Sequence, residues 1–221
     1  MRFCVISLGG ILLVALTAMT PSNDASANHP NPDPSYGYAW LWWDVYPSCD
    51  WPGWQNGPCR DHNVTYRLCD LAWWQQGEAA LGDWLSKFNF GSVQITKTRQ
   101  NNCGVPSDLL FYGASSQQQI VNFCGVWAPA CIKPVEEAVD SFVGRTEAKR
   151  ADSITDGPWF AQLYAPEAEH GYAHEIGHMF GLAHHSTCHN VNVMEAGGPG
   201  CVALASSADV ATGRCAYIYI C

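Results

Sequence analysis

Behind Arg2 the chain is apolar from Phe3 to Met19, then turns polar around Ala25-Ser26-Ala27. A short basic flank, an apolar run marginal for a membrane span and an Ala-x-Ala site mark residues 1–27 as a secretory signal peptide cleaved before Asn28; an uncleaved anchor is the alternative. No later segment approaches spanning length. Residues 28–61 show neither helical nor strand periodicity. From there alternation returns, and Val64 to Leu68 reads as a strand. Between Leu71 and Asn89 the apolar positions Leu71, Trp74, Leu81, Trp84, Leu85 and Phe88 fall on one helical face, despite Gly77 and Gly82. Ser92–Thr98 alternates, Leu109–Tyr112 is a short apolar run, and Ile120–Trp127 runs into Ala128-Pro129; all three read as strands. Residues 132–158 are polar and mixed, with a short helix expected over Val135–Val143. Trp159–Tyr164 reads as a strand leading through a loop into the next helix. Ser206-Ser207-Ala208-Asp209-Val210 has the pattern of a capped helix start that Gly213 would cut short, and Cys215–Cys221 alternates like a strand. Strands and helices interspersed in this way define an α+β class.

The most specific stretch is residues 174–185, His-Glu-Ile-Gly-His-Met-Phe-Gly-Leu-Ala-His-His. On a helix, His174 and His178 lie one turn apart on the same face, so both imidazoles reach one ion. Glu175 follows the first of them, near a metal but outside its ligand set, where a carboxylate can take a proton from bound water. Gly181 permits a backbone turn that brings His184 round as the third ligand. Three neutral imidazoles leave a fourth position for water, the arrangement of a catalytic zinc ion. The five-residue core alone is only moderately specific, but with Gly181 and His184 chance becomes an inadequate account. His170, four residues earlier, reads as a loop or helix-entry residue.

The extended pattern HExxHxxGxxH resembles the metzincin clan of zinc endopeptidases, and Met194, in Asn-Val-Met-Glu, stands where that clan has its methionine turn. The resemblance implies a catalytic domain over 62–221: a mixed twisted sheet, a long helix, a zinc-site helix and a small irregular C-terminal subdomain. It also implies a hydrophobic floor at Met194. The upper part would cover 62–184, with Gly125-Val126-Trp127-Ala128 as an edge strand pairing with extended substrate. After the third histidine, matrixins have serine, reprolysins aspartate, astacins glutamate and serralysins proline. Here it is His185, so the subfamily is not assigned. His185 also competes for the third ligand place, although the clan's spacing selects His184. Ala196 stands where astacins and serralysins carry a tyrosine ligand, which places the site nearer the matrixin and reprolysin type. By the same comparison Glu195 would lie in the wall of the specificity pocket, with a solvated loop carboxylate as the alternative. Cys103-Gly104-Val105-Pro106-Ser107-Asp108 resembles the matrixin cysteine switch. A propeptide ending there would leave too little chain before His174 for a helix and sheet, so a disulfide cysteine is the default.

Composition narrows the setting. Without its signal the chain keeps 194 of 221 residues, enough for one sizeable core. Its net charge of −9 argues against nucleic acid or an anionic membrane as partner. Ten of the eleven cysteines remain after Cys4 is removed, which suits an exported, disulfide-rich protein with up to five bridges. Cys188 with Cys201 and Cys215 with Cys221 are candidate pairs. Asn63-Val64-Thr65 is a glycosylation sequon in a eukaryotic host. The crowded Trp40, Trp42, Trp43, Trp51 and Trp54 of segment 28–61 allow three roles: a structural cover, a latency segment, or an aromatic platform for a polymer. The sequence thus points to a secreted, monomeric zinc endopeptidase acting on protein or peptide, with calcium left open as a further cofactor. The alternatives are a catalytically silent or latent metzincin-like binding protein using its aromatic N-terminal segment, and a carbohydrate-binding module with an incidental zinc site.

Overall fold

The computed structural model describes residues 61–88, 94–140 and 145–182, together with 41–42, 184, 193–194, 205, 207 and 209–210. The elements are β1 (Leu41–Trp42), β2 (Asn63–Cys69), α1 (Trp74–Lys87), β3 (Thr96–Arg99), β4 (Leu109–Ala114), α2 (Gln117–Cys124), β5 (Ala130–Asp140), β6 (Arg145–Asp156), α3 (Gly157–Phe160) and α4 (Ala165–Met179). Strands β3, β2, β4 and β6 lie side by side in parallel, and β5 runs antiparallel along the outer side of β6. The two residues of β1 pair in parallel with Glu147 and Ala148 of β6.

Alternation in the strands decides which face carries the core. Val64 and Tyr66 of β2 and Leu109 and Phe111 of β4 are at most 2% exposed. They pack against α1, through Leu81, Trp84 and Leu85, and against α4, through Tyr172, Ile176 and Met179. Trp84 joins the two helices. Its indole N–H donates to the Ala173 carbonyl at 2.8 Å, and its ring stacks on Phe180 with centroids 5.0 Å apart. On the opposite face a smaller cluster of Ala114, Ile120 and Ile154 seats α2. Disulfides fasten both ends of this arrangement: Cys69–Cys103 ties the end of β2 to the loop before β4, and Cys124–Cys131 ties α2 to β5. Arg67, 4% exposed, reinforces the first by donating from Nε to Ser107 Oγ at 2.7 Å and from Nη1 to the Cys103 carbonyl.

Several expected elements hold. The strand at Val64–Leu68, the long helix, the strand at Leu109–Tyr112 and the disulfide role of Cys103 all stand, and the strand expected at Ser92–Thr98 is found as Thr96–Arg99, with Gln94 and Ile95 outside it. Others are corrected. Ile120–Trp127 is not a strand; α2 occupies Gln117–Cys124, because a short apolar run has no period of its own and Ile120, Phe123 and Cys124 share a helical face. Gly125-Val126-Trp127-Ala128 therefore forms no edge strand. The edge is β5, which replaces the helix expected at Val135–Val143. Its register shifts beside Pro134, which interrupts an alternating pattern and disguises the strand. The central strand β6 gives little apolar signal because its fully buried positions include Ser153 and Thr155. Trp159–Tyr164 holds no strand; Asp156 Oδ1 accepts from the Trp159 N–H at 3.0 Å and opens the short helix α3. Trp74, expected inward, is 39% exposed at the start of α1, with the Arg99 guanidinium 4.6 Å from its ring. The signal peptide, segment 43–60 and the cysteines at 49, 59, 188, 201, 215 and 221 lie outside the described residues.

Trp84→Ala removes both the bond to α4 and the largest buried ring. It should cost about 3–5 kcal/mol, a large part of a typical domain stability, read as a lower urea midpoint.

Candidate metal centre

Helix α4 starts at Ala165, nine residues before the first motif histidine, His174. Pro166 sits in its first turn, and the Tyr164 N–H donates to Glu167 Oε2 at 2.9 Å. His170 therefore belongs to the helix and not to a loop; it is buried, with its ring centroid 6.2 Å from that of His174 and its nitrogens outside the ligand cluster. His174 and His178 follow on the same face. The helix then ends at Phe180, and Gly181 takes φ +80°, a left-handed conformation that turns the chain so that Leu182 and His184 come back over the helix.

The result is a three-nitrogen cluster. Ligand atoms of His174, His178 and His184 all lie within 4.8 Å of one another, with Nε2 of His184 3.1 Å from that of His178 and 3.0 Å from that of His174. Hydrogen bonds on the far side of two rings assign their tautomers. Nδ1 of His174 faces the Val193 carbonyl at 2.9 Å, and Nδ1 of His178 faces the Leu182 carbonyl at 2.8 Å. A carbonyl only accepts, so each Nδ1 carries the hydrogen and each Nε2 presents a bare lone pair. His184 can place a proton toward one of these at most. Lone pairs converging this closely repel unless a cation lies between them, so the three side chains can hold a metal ion.

Electrostatics agree with this chemistry. Burial, followed by the proximity of His184, lowers the His174 pKa to about 3; burial likewise holds His178 and His184 below their ordinary values. All three are neutral at pH 7, the form that binds metal. The carboxyl of Glu175, 7% exposed and without a hydrogen bond among the described residues, is pushed up to about 8 by burial. It lies outside the ligand cluster, as its place in the motif requires. Beneath the helix, Met194 is 1% exposed and reaches α4 at Gly177, where a Cβ would stand 2.1 Å from its Sδ and 3.1 Å from the Trp84 ring. Only a glycine fits between methionine and indole.

Sequence reading missed the groups that hold the rings. The Val193 and Leu182 partners are backbone carbonyls, which carry no side-chain signature. Asp209 escaped for another reason: it lies in the last described helical turn, far along the chain from the motif, yet its Oδ2 accepts from the Val193 N–H at 3.0 Å. His185, Glu195 and Ala196 lie outside the described residues.

No family model matches this chain, and no curated protein sequence matches it. Among solved structures it is similar to the GM1-bound form of the ECX AB5 holotoxin, with a TM-score of 0.41 and 10% identity over 71% of this chain and 80% of that one. A likeness of that degree carries no functional inference.

The depressed histidine values set a pH window. Unfolded imidazoles gain protons below about 6.5, whereas the folded ring of His174 resists until about 3, so the stability they contribute is complete above 6.5 and falls as pH drops. Chelated protein should therefore melt at progressively lower temperature from pH 6.5 to 4. Glu175 acts in the opposite direction, costing stability as pH rises from 4.5 toward 8. Metal-free Glu175→Gln should accordingly melt higher than wild type at pH 8.

Proposed function

We propose that this chain is a secreted zinc endopeptidase of the metzincin type. The observation that carries the reading is the convergence of the Nε2 atoms of His174, His178 and His184, with the buried carboxyl of Glu175 next to His174 in the chain. A tetrahedral ion about 2.0–2.1 Å from each imidazole nitrogen would separate them by roughly 3.3 Å, close to the spacing found, and an all-nitrogen set suits zinc. His174, His178 and His184 would hold it, with Met194 as the floor. When bound, zinc supplies a Lewis acid that acidifies water and polarises a peptide carbonyl.

The chain's own residues supply the proton handling. Glu175 accepts the proton from the attacking water and returns it to the nitrogen of the departing amine. Burial pushes this carboxyl up to about 8 in the metal-free site, so it holds a proton readily, and a cation bound nearby would favour the ionised form that accepts one. Neutral Nδ1–H groups, fixed on Val193 and Leu182, keep the ligand rings from turning. Strand β5 is the sheet edge packed beside α4, and its outer side has no strand partner among the described residues. That edge favours an extended peptide as substrate, the role first expected of residues 125–128. Disulfides favour an oxidising compartment, and among the described residues no helix is long and apolar enough to cross a membrane.

Cleavage of denatured casein or gelatin by the purified chain tests this. A chelator should abolish turnover, and Glu175→Gln should keep its zinc while losing about 10²–10⁴-fold in rate. Wild-type turnover by that variant would sink the assignment of the base. His184→Ala should lower zinc content; full occupancy would transfer the third ligand role to His185.

A further inference from the structure

Residue 193 is gripped from two sides. Its carbonyl accepts from His174 Nδ1 at 2.9 Å, while its N–H donates to Asp209 Oδ2 at 3.0 Å. All the groups between metal face and carboxylate are dry: Val193 and Asp209 are fully buried, and Met194 is 1% exposed. The two helix ligands are thus oriented by different means. His178 leans on Leu182, four residues away in its own turn, whereas His174 leans on a segment that meets it only through tertiary structure.

We propose that Asp209 is a positioning residue of the metal centre, fixing the Val193 backbone whose carbonyl sets the plane and tautomer of His174. The inference rests on the reading of the three histidines as metal ligands. A carboxylate accepting from a peptide N–H in a buried setting makes a stronger, more directional bond than a neutral acceptor would, so residue 193 has little freedom to rotate its carbonyl away. The segment bearing Asp209 is itself anchored without help from the metal. Lys87 of α1 donates from Nζ to the Ala205 carbonyl at 2.8 Å and pairs with Asp83 at 2.7 Å. Lys87 thus ties α1 to Ala205, Asp209 holds Val193, and Val193 holds the ligand ring. Second partners of this kind, behind the ligand, commonly govern affinity as strongly as their distance from the metal would seem to forbid.

The test uses the full chain, stripped with a chelator and titrated with zinc or cobalt(II) against a chromophoric competitor. Asp209→Ala is expected to weaken metal affinity about 10- to 100-fold and to shift the cobalt d–d absorption. Asp209→Asn, which keeps a weaker, neutral oxygen acceptor for the Val193 N–H, should recover much of the affinity and bring the spectrum back toward wild type. If Asp209→Ala does not fold, Asp209→Glu takes its place, because the extra methylene displaces the acceptor: weakened binding there, with Asn retained, supports the proposal. Wild-type affinity and spectrum in the folded Ala or Glu variant, with or without a lowered Tm, overturns it and leaves Asp209 a structural residue. A wild-type chain that takes up neither ion overturns the three-histidine reading itself, an outcome distinct from a failure confined to Asp209.

Discussion

Everything in this molecule that bears on chemistry depends on how closely α4 can be approached at Gly177. The Trp84 ring comes in from α1 on one side and the Met194 thioether on the other, and neither could stay if the helix carried a Cβ there. This contact fixes the depth of α4 against the sheet through Trp84, and the position of the 193–194 turn through Met194. Gly177 lies between the two helix histidines, one residue before His178. Packing of the core and placement of the imidazoles are consequently one problem, solved at one residue that has no side chain.

Around that contact, the forces divide by type. Apolar burial holds α1 and α4 on the sheet, through rings such as Phe88, Phe111 and Phe180 that are fully excluded from water. Backbone carbonyls hold the imidazoles. The Cys124–Cys131 disulfide secures the sheet's far side, where among the described residues the core cluster has three buried members and apolar area is scant. The half that carries the histidine cluster thus relies on packing, and the α2 half on a disulfide.

The site was largely legible in the sequence and the sheet only partly. His174, His178 and His184 follow from the helical period and one left-handed glycine, both local properties that a chain writes directly. Met194 beneath them, by contrast, came from a resemblance, and no spacing rule would have singled it out. Strands β5 and β6 were missed because pairing over a long antiparallel ladder overrode a polar sequence with Pro134, Ser153 and Thr155 in it. Ile120 and Phe123 misled in the other direction, since a short apolar run fits a helix and a strand equally well. Asp209 was invisible for a simpler reason: its partner is a peptide group, and peptide groups look alike at every position.

The three imidazoles are not equally committed. His178 is 2% exposed and His174 is braced from behind, but His184 stands open to solvent just past the turn at Gly181. An ion held by the three rings would accordingly face solvent on the side of His184 and protein on the sides of His174 and His178.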